Sequence, residues 1–285
     1  RPSDWQIGVT AQHEILPRIP MEVSYLRRWL QNFTVTDNRA VTPSDFTMFS
    51  VTAPNDPRLP GGGGYVVSGL YNVNPDKFSA VDNYRTYAPA YGDVSQTYNG
   101  VDVNVSARLR GGLQVQGGTS TGQQVIDSCE VRDKLPEQVS GGASSQGGIP
   151  YNPANPYCHV APGFTTRATA AGSYLVPRVD VQFGFAFTSS PGVPLQANWQ
   201  VPSAIAALSL GRPLSGNAPN VQVNLLEPGQ MRSSRVNILD FRAGKLLRLG
   251  EQRLNVSVDL YNMLNLDTVI NQNFNYVPNG AWLVP

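Results

Sequence analysis

The sequence predicts an all-β chain, part of an antiparallel up-and-down transmembrane barrel, and three observations carry that expectation. Apolar and polar residues alternate over runs of roughly 10–15 positions, where an ordinary strand has about 5–6. The runs come in pairs, each joined by a tight turn. Long connections separate the pairs, so short and long links alternate along the whole chain.

Length allows one large β domain or two ordinary ones, and the barrel expectation makes 1–285 part of a single domain. Charged residues make up 14%, well under the roughly 25% of ordinary soluble domains. A net charge of +1 gives no field to draw in nucleic acid, which is not expected as a partner. No apolar run approaches the ~18 residues of a membrane helix, the longest candidate being the short "VPSAIAALSL". The chain starts at Arg1 and stops at "GAWLVP", where the pattern predicts the opening of a new strand. The expectation is a barrel piece continued at both ends in a longer protein.

The elements follow in order. "DWQIGVTAQHEIL" (4–16) sets Trp5, Ile7, Val9 and Ala11 against Gln6, Gly8, Thr10 and Gln12. After "PRIP", residues 21–35 place Met21, Val23, Tyr25, Trp29 and Phe33 on one parity. "YNGVDVNVSARL" (98–109) opposes Val101, Val103 and Val105 to Asp102, Asn104, Ser106 and Arg108, then turns into "LQVQGGTSTGQQV" (113–125). "TRATAAGSYL" (166–175) leads through "VPR" to residues 179–189, where Val179, Val181, Phe183, Phe185 and Phe187 face away from Asp180, Gln182 and Thr188. "RVNILDFRAGKLLRL" (235–249) turns at "GEQ" into "RLNVSVDLYNMLN" (253–265), with Leu254, Val256, Val258 and Leu260 opposite Asn255, Ser257, Asp259 and Tyr261. That makes eight strands in four hairpins, with a ninth beginning at Ala281–Pro285.

Tight turns fall at 17–20, 110–112, 176–178 and 250–252, and long connections at 36–96, 127–165, 190–234 and 264–280. Every tight turn therefore lies at one end of the strands and every long connection at the other. Compact soluble domains seldom hold structureless loops beyond about 12–15 residues. Outer-membrane barrels alternate short turns with long loops and put apolar side chains into lipid and polar ones into a wet lumen. In lipid, only closure satisfies every strand hydrogen bond. A soluble sandwich also alternates, but it leaves the loop rule unexplained.

Several segments carry a resemblance together: "LPGGGGYVVSGLYNVNP" (59–75), "YNGVDVNVSARL", "SLGRPLSGN" (209–217), "VNLLEPG" (223–229) and "RVNILDFRAGKLLRLGEQRLNVSVDLYNMLN" (235–265). They resemble the C-terminal barrel of TonB-dependent outer-membrane receptors, in the Oar-like subgroup that bears a carboxypeptidase-regulatory-like domain. The most specific piece is Asp240, Arg242 and Lys245 on one strand, a tight turn, then Asp259 to Asn262 on the next. The likeness covers nearly the whole chain in matching order.

The resemblance implies a barrel of about 22 strands with a plugged lumen, in the outer membrane of a Gram-negative bacterium, importing a bulky solute. Its partners would be outer-membrane lipid, an unknown extracellular ligand, and the TonB energy-transducing complex acting through a plug outside this chain. It places the tight turns in the periplasm and the long connections outside. Leu254, Val256, Val258 and Leu260 would then face lipid. Candidate lumen residues are Asp102, Asn104, Arg108, Asp180, Gln182, Asp240, Arg242, Asn255, Asp259 and Tyr261, some of them paired as a charge ladder between strands. Alternatives are a passive porin-like channel and a barrel-anchored surface adhesion protein.

No enzyme, cofactor or metal centre is expected. Cys129 and Cys158 lack metal-ligand spacing and read as a loop disulfide, with two unrelated free thiols as the alternative. "GTSTG" (118–122) has the G-x-S-x-G form but sits inside a Gly-rich strand, not at the strand-to-helix turn a nucleophile needs. "GGGG" (61–64) lacks a following G-K-[ST] and reads as flexible loop. Asp37, Asp45, Asp56, Asp76 and Asp82 read as solvated loop carboxylates, and Tyr65, Tyr71, Tyr84, Tyr87, Tyr91 and Trp199 as a packed loop cluster.

Overall fold

Alternation over long runs produces long strands. This computed structural model describes residues 3–109, 111–139, 145–146, 149–150, 155–250 and 252–285. Eight strands form one antiparallel meander: β1 Ser3–Leu16, β2 Ile19–Gln31, β3 Ser95–Arg108, β4 Leu113–Asp127, β5 Thr165–Val176, β6 Val181–Ser190, β7 Val236–Leu249 and β8 Gln252–Leu260. Each pairs with its neighbours in sequence, and a short strand, His159–Val160, lengthens the sheet beside β4. Among the described residues the sheet stays open, with β1 and β8 as its two edges.

The turns use positive φ where the chain must reverse sharply: Arg18 (68°), Gly111 and Gly112 (85° and 88°), Arg178 (71°) and Gly250 (63°). Glycine adopts that region freely and an arginine only at some cost. All four turns sit at one end of the strands and all four long connections at the other.

Several boundaries differ from the sequence reading. β2 ends at Gln31, because Asn32 turns at φ 61° and Phe33 leaves to join Val35, Ala88, Val131 and Leu135 in a small core. β6 starts at Val181, leaving Val179 and Asp180 in the turn, and β8 stops at Leu260, which leaves Tyr261 beyond the strand. Residues 281–285 form no ninth strand. There the apolar run is spent on burial: Trp282 is 1% exposed, and its indole Nε1 donates to the Gln196 carbonyl at 2.8 Å.

The long connections are not loose loops. Strands Phe46–Thr52 and Val66–Val73 pair, as do Thr34–Asn38 and Asn83–Tyr87. Asn198–Pro202 is flanked by Asn220–Asn224 and, in parallel, by Asn275–Tyr276. Two helices that no sequence period announced complete the set: α1 Cys129–Lys134 and α2 Ser203–Leu210, the latter ended by Gly211 at φ 75°. Phe49, Leu70, Trp199, Val223, Leu225, Tyr276 and Trp282 share one core drawn from three connections. Fully burying such side chains stabilises by roughly 1.5–3 kcal/mol each. The "GGGG" stretch is fixed too: Gly64 N–H donates to the Ala53 carbonyl, and a Cβ on Gly63 would fall 1.9 Å from the Pro54 oxygen.

Candidate functional site

Cross-strand partners share a face, so the register alone defines two continuous surfaces. One row runs Glu22–Asn104–Gly118–Thr169–Thr188–Ile238. Another runs Arg108–Gln114–Ser173–Gly184–Arg242–Asp259. These rows are mainly polar or small. On the opposite face the row Met21–Val105–Gly117–Ala170–Phe187–Leu239 is apolar or small throughout. The apolar face is uncovered: Trp5 is 68% exposed, Val9 64% and Val258 62%. A soluble sandwich would bury that face under a second sheet.

Of the candidate lumen residues, Asp102, Asn104, Arg108, Gln182, Asp240, Arg242, Asn255 and Asp259 fall on the polar face of their strands. Asp180 and Tyr261 do not lie in strands, for the reason given above. Among the described residues three ion pairs form on this side. Arg242 holds Asp259 through Nε at 2.5 Å and Nη2 at 3.0 Å, Arg248 holds Asp180 at 3.1 Å, and Arg28 holds Asp4 at 2.6 Å. Asp240 accepts the Asn262 backbone N–H at 2.9 Å, which fixes the chain as it leaves β8. Lys245, grouped with Asp240 and Arg242 by its motif, points to the apolar face instead, and its ammonium donates to the Val179 carbonyl.

The sheet curls around its polar side. A furrow of about 530 Å³ is lined from β1 to β6 by Gln12, Glu22, Asn104, Gln116, Thr169 and Thr188, a size within the usual range of ligand pockets. It continues toward the turns as a second hollow of about 380 Å³ beside Arg108, Gln114 and Ser173. Tyr98 lies flat on the same wall: a Cβ on Gly122 would come within 2.2 Å of its hydroxyl and one on Gly100 within 2.6 Å. The two glycines make the bed for that ring. Ser120 of "GTSTG" sits in mid-strand opposite Asp102 and Arg167.

At the other end the folded connections form a crown. Tyr65 from the first and Tyr157 from the second both donate to the Leu225 carbonyl of the third, each at 3.0 Å. Burial pushes both phenols up. Asp56, read from sequence as solvated, is 3% exposed. It receives Arg58 Nη2 at 2.7 Å and the Tyr276 hydroxyl at 3.1 Å. Hydrogen bonds from Arg58 hold its carboxyl down at about 2, and burial with the Asp56 bond pushes the Tyr276 phenol up to about 12. Asp37 and Asp82 are also engaged, by the Tyr91 hydroxyl at 2.5 Å and by Arg39 at 3.0 Å. Tyr65, Tyr91 and Trp199 pack into cores, whereas Tyr84 and Tyr87 are exposed.

Cys129 and Cys158 are joined, their Cα atoms 4.8 Å apart. The bond ties the start of α1 to the returning strand, where Asp127 accepts the Cys129 N–H at 3.1 Å and pairs with His159 at 2.9 Å. Val131 and Leu135 of this segment pack on the first connection, and Arg132 reaches the Asn155 carbonyl. Arg58, Tyr157 and Arg212 were not singled out in the sequence. Arg212 binds Asn72, Val73 and Ser215, contacts that no local spacing signals. No protein-family model matches the chain, nor does any curated protein or solved structure.

Proposed function

We propose that this chain forms part of the wall and outer crown of an outer-membrane β-barrel receptor of the TonB-dependent kind, importing a bulky solute. The observation that carries the reading is the register. Eight strands in unbroken order keep one mainly polar face and one apolar face, and the apolar face has no protein cover among the described residues. Lipid is the solvent that such a face fits. Connections at one strand end only, and a polar furrow behind the wall, fit a receptor whose crown meets solute first. The energised step rests on the sequence resemblance alone.

Cysteine scanning along β8 tests the wall. The natural cysteines are bonded to each other, so a single introduced thiol reports cleanly. In membranes, a water-soluble maleimide should label cysteines placed at Asn255 and Ser257 and spare those at Val256 and Val258. Equal labelling of both parities would remove the membrane reading. Uptake that survives collapse of the proton gradient would replace the energised importer with a passive channel.

A further inference from the structure

The net charge of +1 conceals a separation of charge along the strand axis. Among the described residues the turn end carries six basic side chains (Arg18, Arg108, Arg178, Lys245, Arg248, Arg253) and three acidic ones (Glu14, Glu22, Asp180). The other described residues hold thirteen basic and sixteen acidic groups. The turn end is therefore +3 and the remainder −3.

Placement is regular. Each of the four turns has an exposed arginine at or beside it: Arg18, Arg108, Arg178 and Arg253. Among the described residues none of these four has a carboxylate within ion-pair distance, whereas Arg248 is matched to Asp180. Arg18 and Arg178 occupy left-handed turn positions (φ 68° and 71°) that glycine or asparagine fill more readily. The rim adjoins the uncovered apolar face, where Lys245 stands near Leu247 and Leu254 on β7 and β8.

Arg108 and Arg253 stand on the polar face, so we propose that the basic groups outside it, the turn residues Arg18 and Arg178 with Lys245 of the apolar face, bind the phosphate head groups of anionic phospholipid in the leaflet at the turn end, fixing the depth of the wall. The inference rests on the membrane reading above. Basic groups at a membrane surface attract anionic lipid by about 1 kcal/mol each, equivalent to about fivefold in partition, and the attraction fades within a Debye length. Long arginine stems reach a head-group layer from a strand end while their heads stay hydrated. The acidic balance of the remaining chain places no comparable attraction at the crown.

The test reconstitutes the protein into nanodiscs from an equal mixture of phosphatidylcholine and phosphatidylglycerol and counts the retained lipids by mass spectrometry. The wild type should retain phosphatidylglycerol preferentially, and high salt should erase the preference. Arg18→Asn, Arg178→Asn and Lys245→Gln should each lower it by up to about fivefold, and together abolish it, whereas Arg108→Gln with Arg253→Gln on the polar face should not. Arg39→Gln with Arg85→Gln, at the opposite end, should leave it unchanged. Insertion with no lipid preference, or a preference indifferent to salt, overturns the rim and leaves the membrane reading standing. Failure to enter either lipid overturns both. If the combined variant does not fold, the salt titration of the wild type still decides.

Discussion

Arg58 lies over the ring of Trp282, its guanidinium carbon 5.4 Å from the centroid, and donates to the Trp282 backbone carbonyl at 3.1 Å. A residue of the first long connection thereby holds the final segment, while its other contacts neutralise the buried Asp56. Replacing Arg58 by Met should leave that carboxylate without its cation, held only by the Tyr276 hydroxyl and the backbone N–H at position 58, and cost the crown up to about 3–5 kcal/mol. Hydrogen exchange should show residues 273–285 opening first. Protection unchanged in that segment would mean that Trp282 is held by packing alone.

The same carboxylate gives the crown an acid limit. Asp56 falls from the ordinary 3.8 to about 2, so the folded form binds its proton less readily than the unfolded chain. Its contribution, about 2 kcal/mol, is complete above pH 4 and lost as pH falls through about 2. Asp56→Asn should therefore flatten the crown's acid unfolding curve between about pH 4 and pH 2. A curve of unchanged shape would show that Asp56 is not the group responsible.

Reducing the Cys129–Cys158 bond, or changing both residues to Ser, removes a link across a separation of 29 residues. Chain entropy alone assigns such a link about 3–4 kcal/mol. The loss should appear as exchange in α1 and around Val131 and Leu135, with β5 to β8 unaffected. Exchange spreading evenly through the sheet would contradict a role confined to the crown.

Gly122→Val should displace Tyr98 from its bed, since the added Cβ alone meets the hydroxyl at 2.2 Å. Overpacking of this kind typically costs about 1–3 kcal/mol. A Tyr98→Ala background should relieve most of the penalty, and a double-mutant cycle measures the coupling. Additive effects would show that ring and glycine do not depend on each other.

The two faces of β8 should respond oppositely to charge. Under the membrane reading, Val258→Arg on the apolar face costs about 2–4 kcal/mol near mid-membrane, whereas Ser257→Arg on the polar face costs little. Folding titrations in lipid vesicles compare them, and equal penalties would speak against lipid on the Val258 side.

The sheet was legible because one pattern, an apolar face set against a polar one, repeats at every second residue. Val101, Val103 and Val105 declare it without help from the rest of the chain. The crown was not legible, because its core is assembled from isolated residues: Leu70 meets Trp199 and Tyr276 with no shared period. Asp56 illustrates the limit. Its main partners are two and 220 positions away, so spacing within its own loop could only describe a carboxylate among glycines and prolines. Residues 281–285 misled for a related reason, since "AWLVP" is as apolar as a strand but serves to seat Trp282 in the core.

The Leu225 carbonyl has a consequence in time. Tyr65 waits for it across 160 positions, and Asp56 waits still longer for Tyr276. The first connection cannot complete its core until the ribosome has delivered nearly everything that follows in this chain. During that interval Phe49, Val51 and Leu70 must be shielded by something other than their final neighbours. A holding chaperone would meet this segment as an unfinished object, and maturation of the crown is therefore a late event, set by the last segments to arrive.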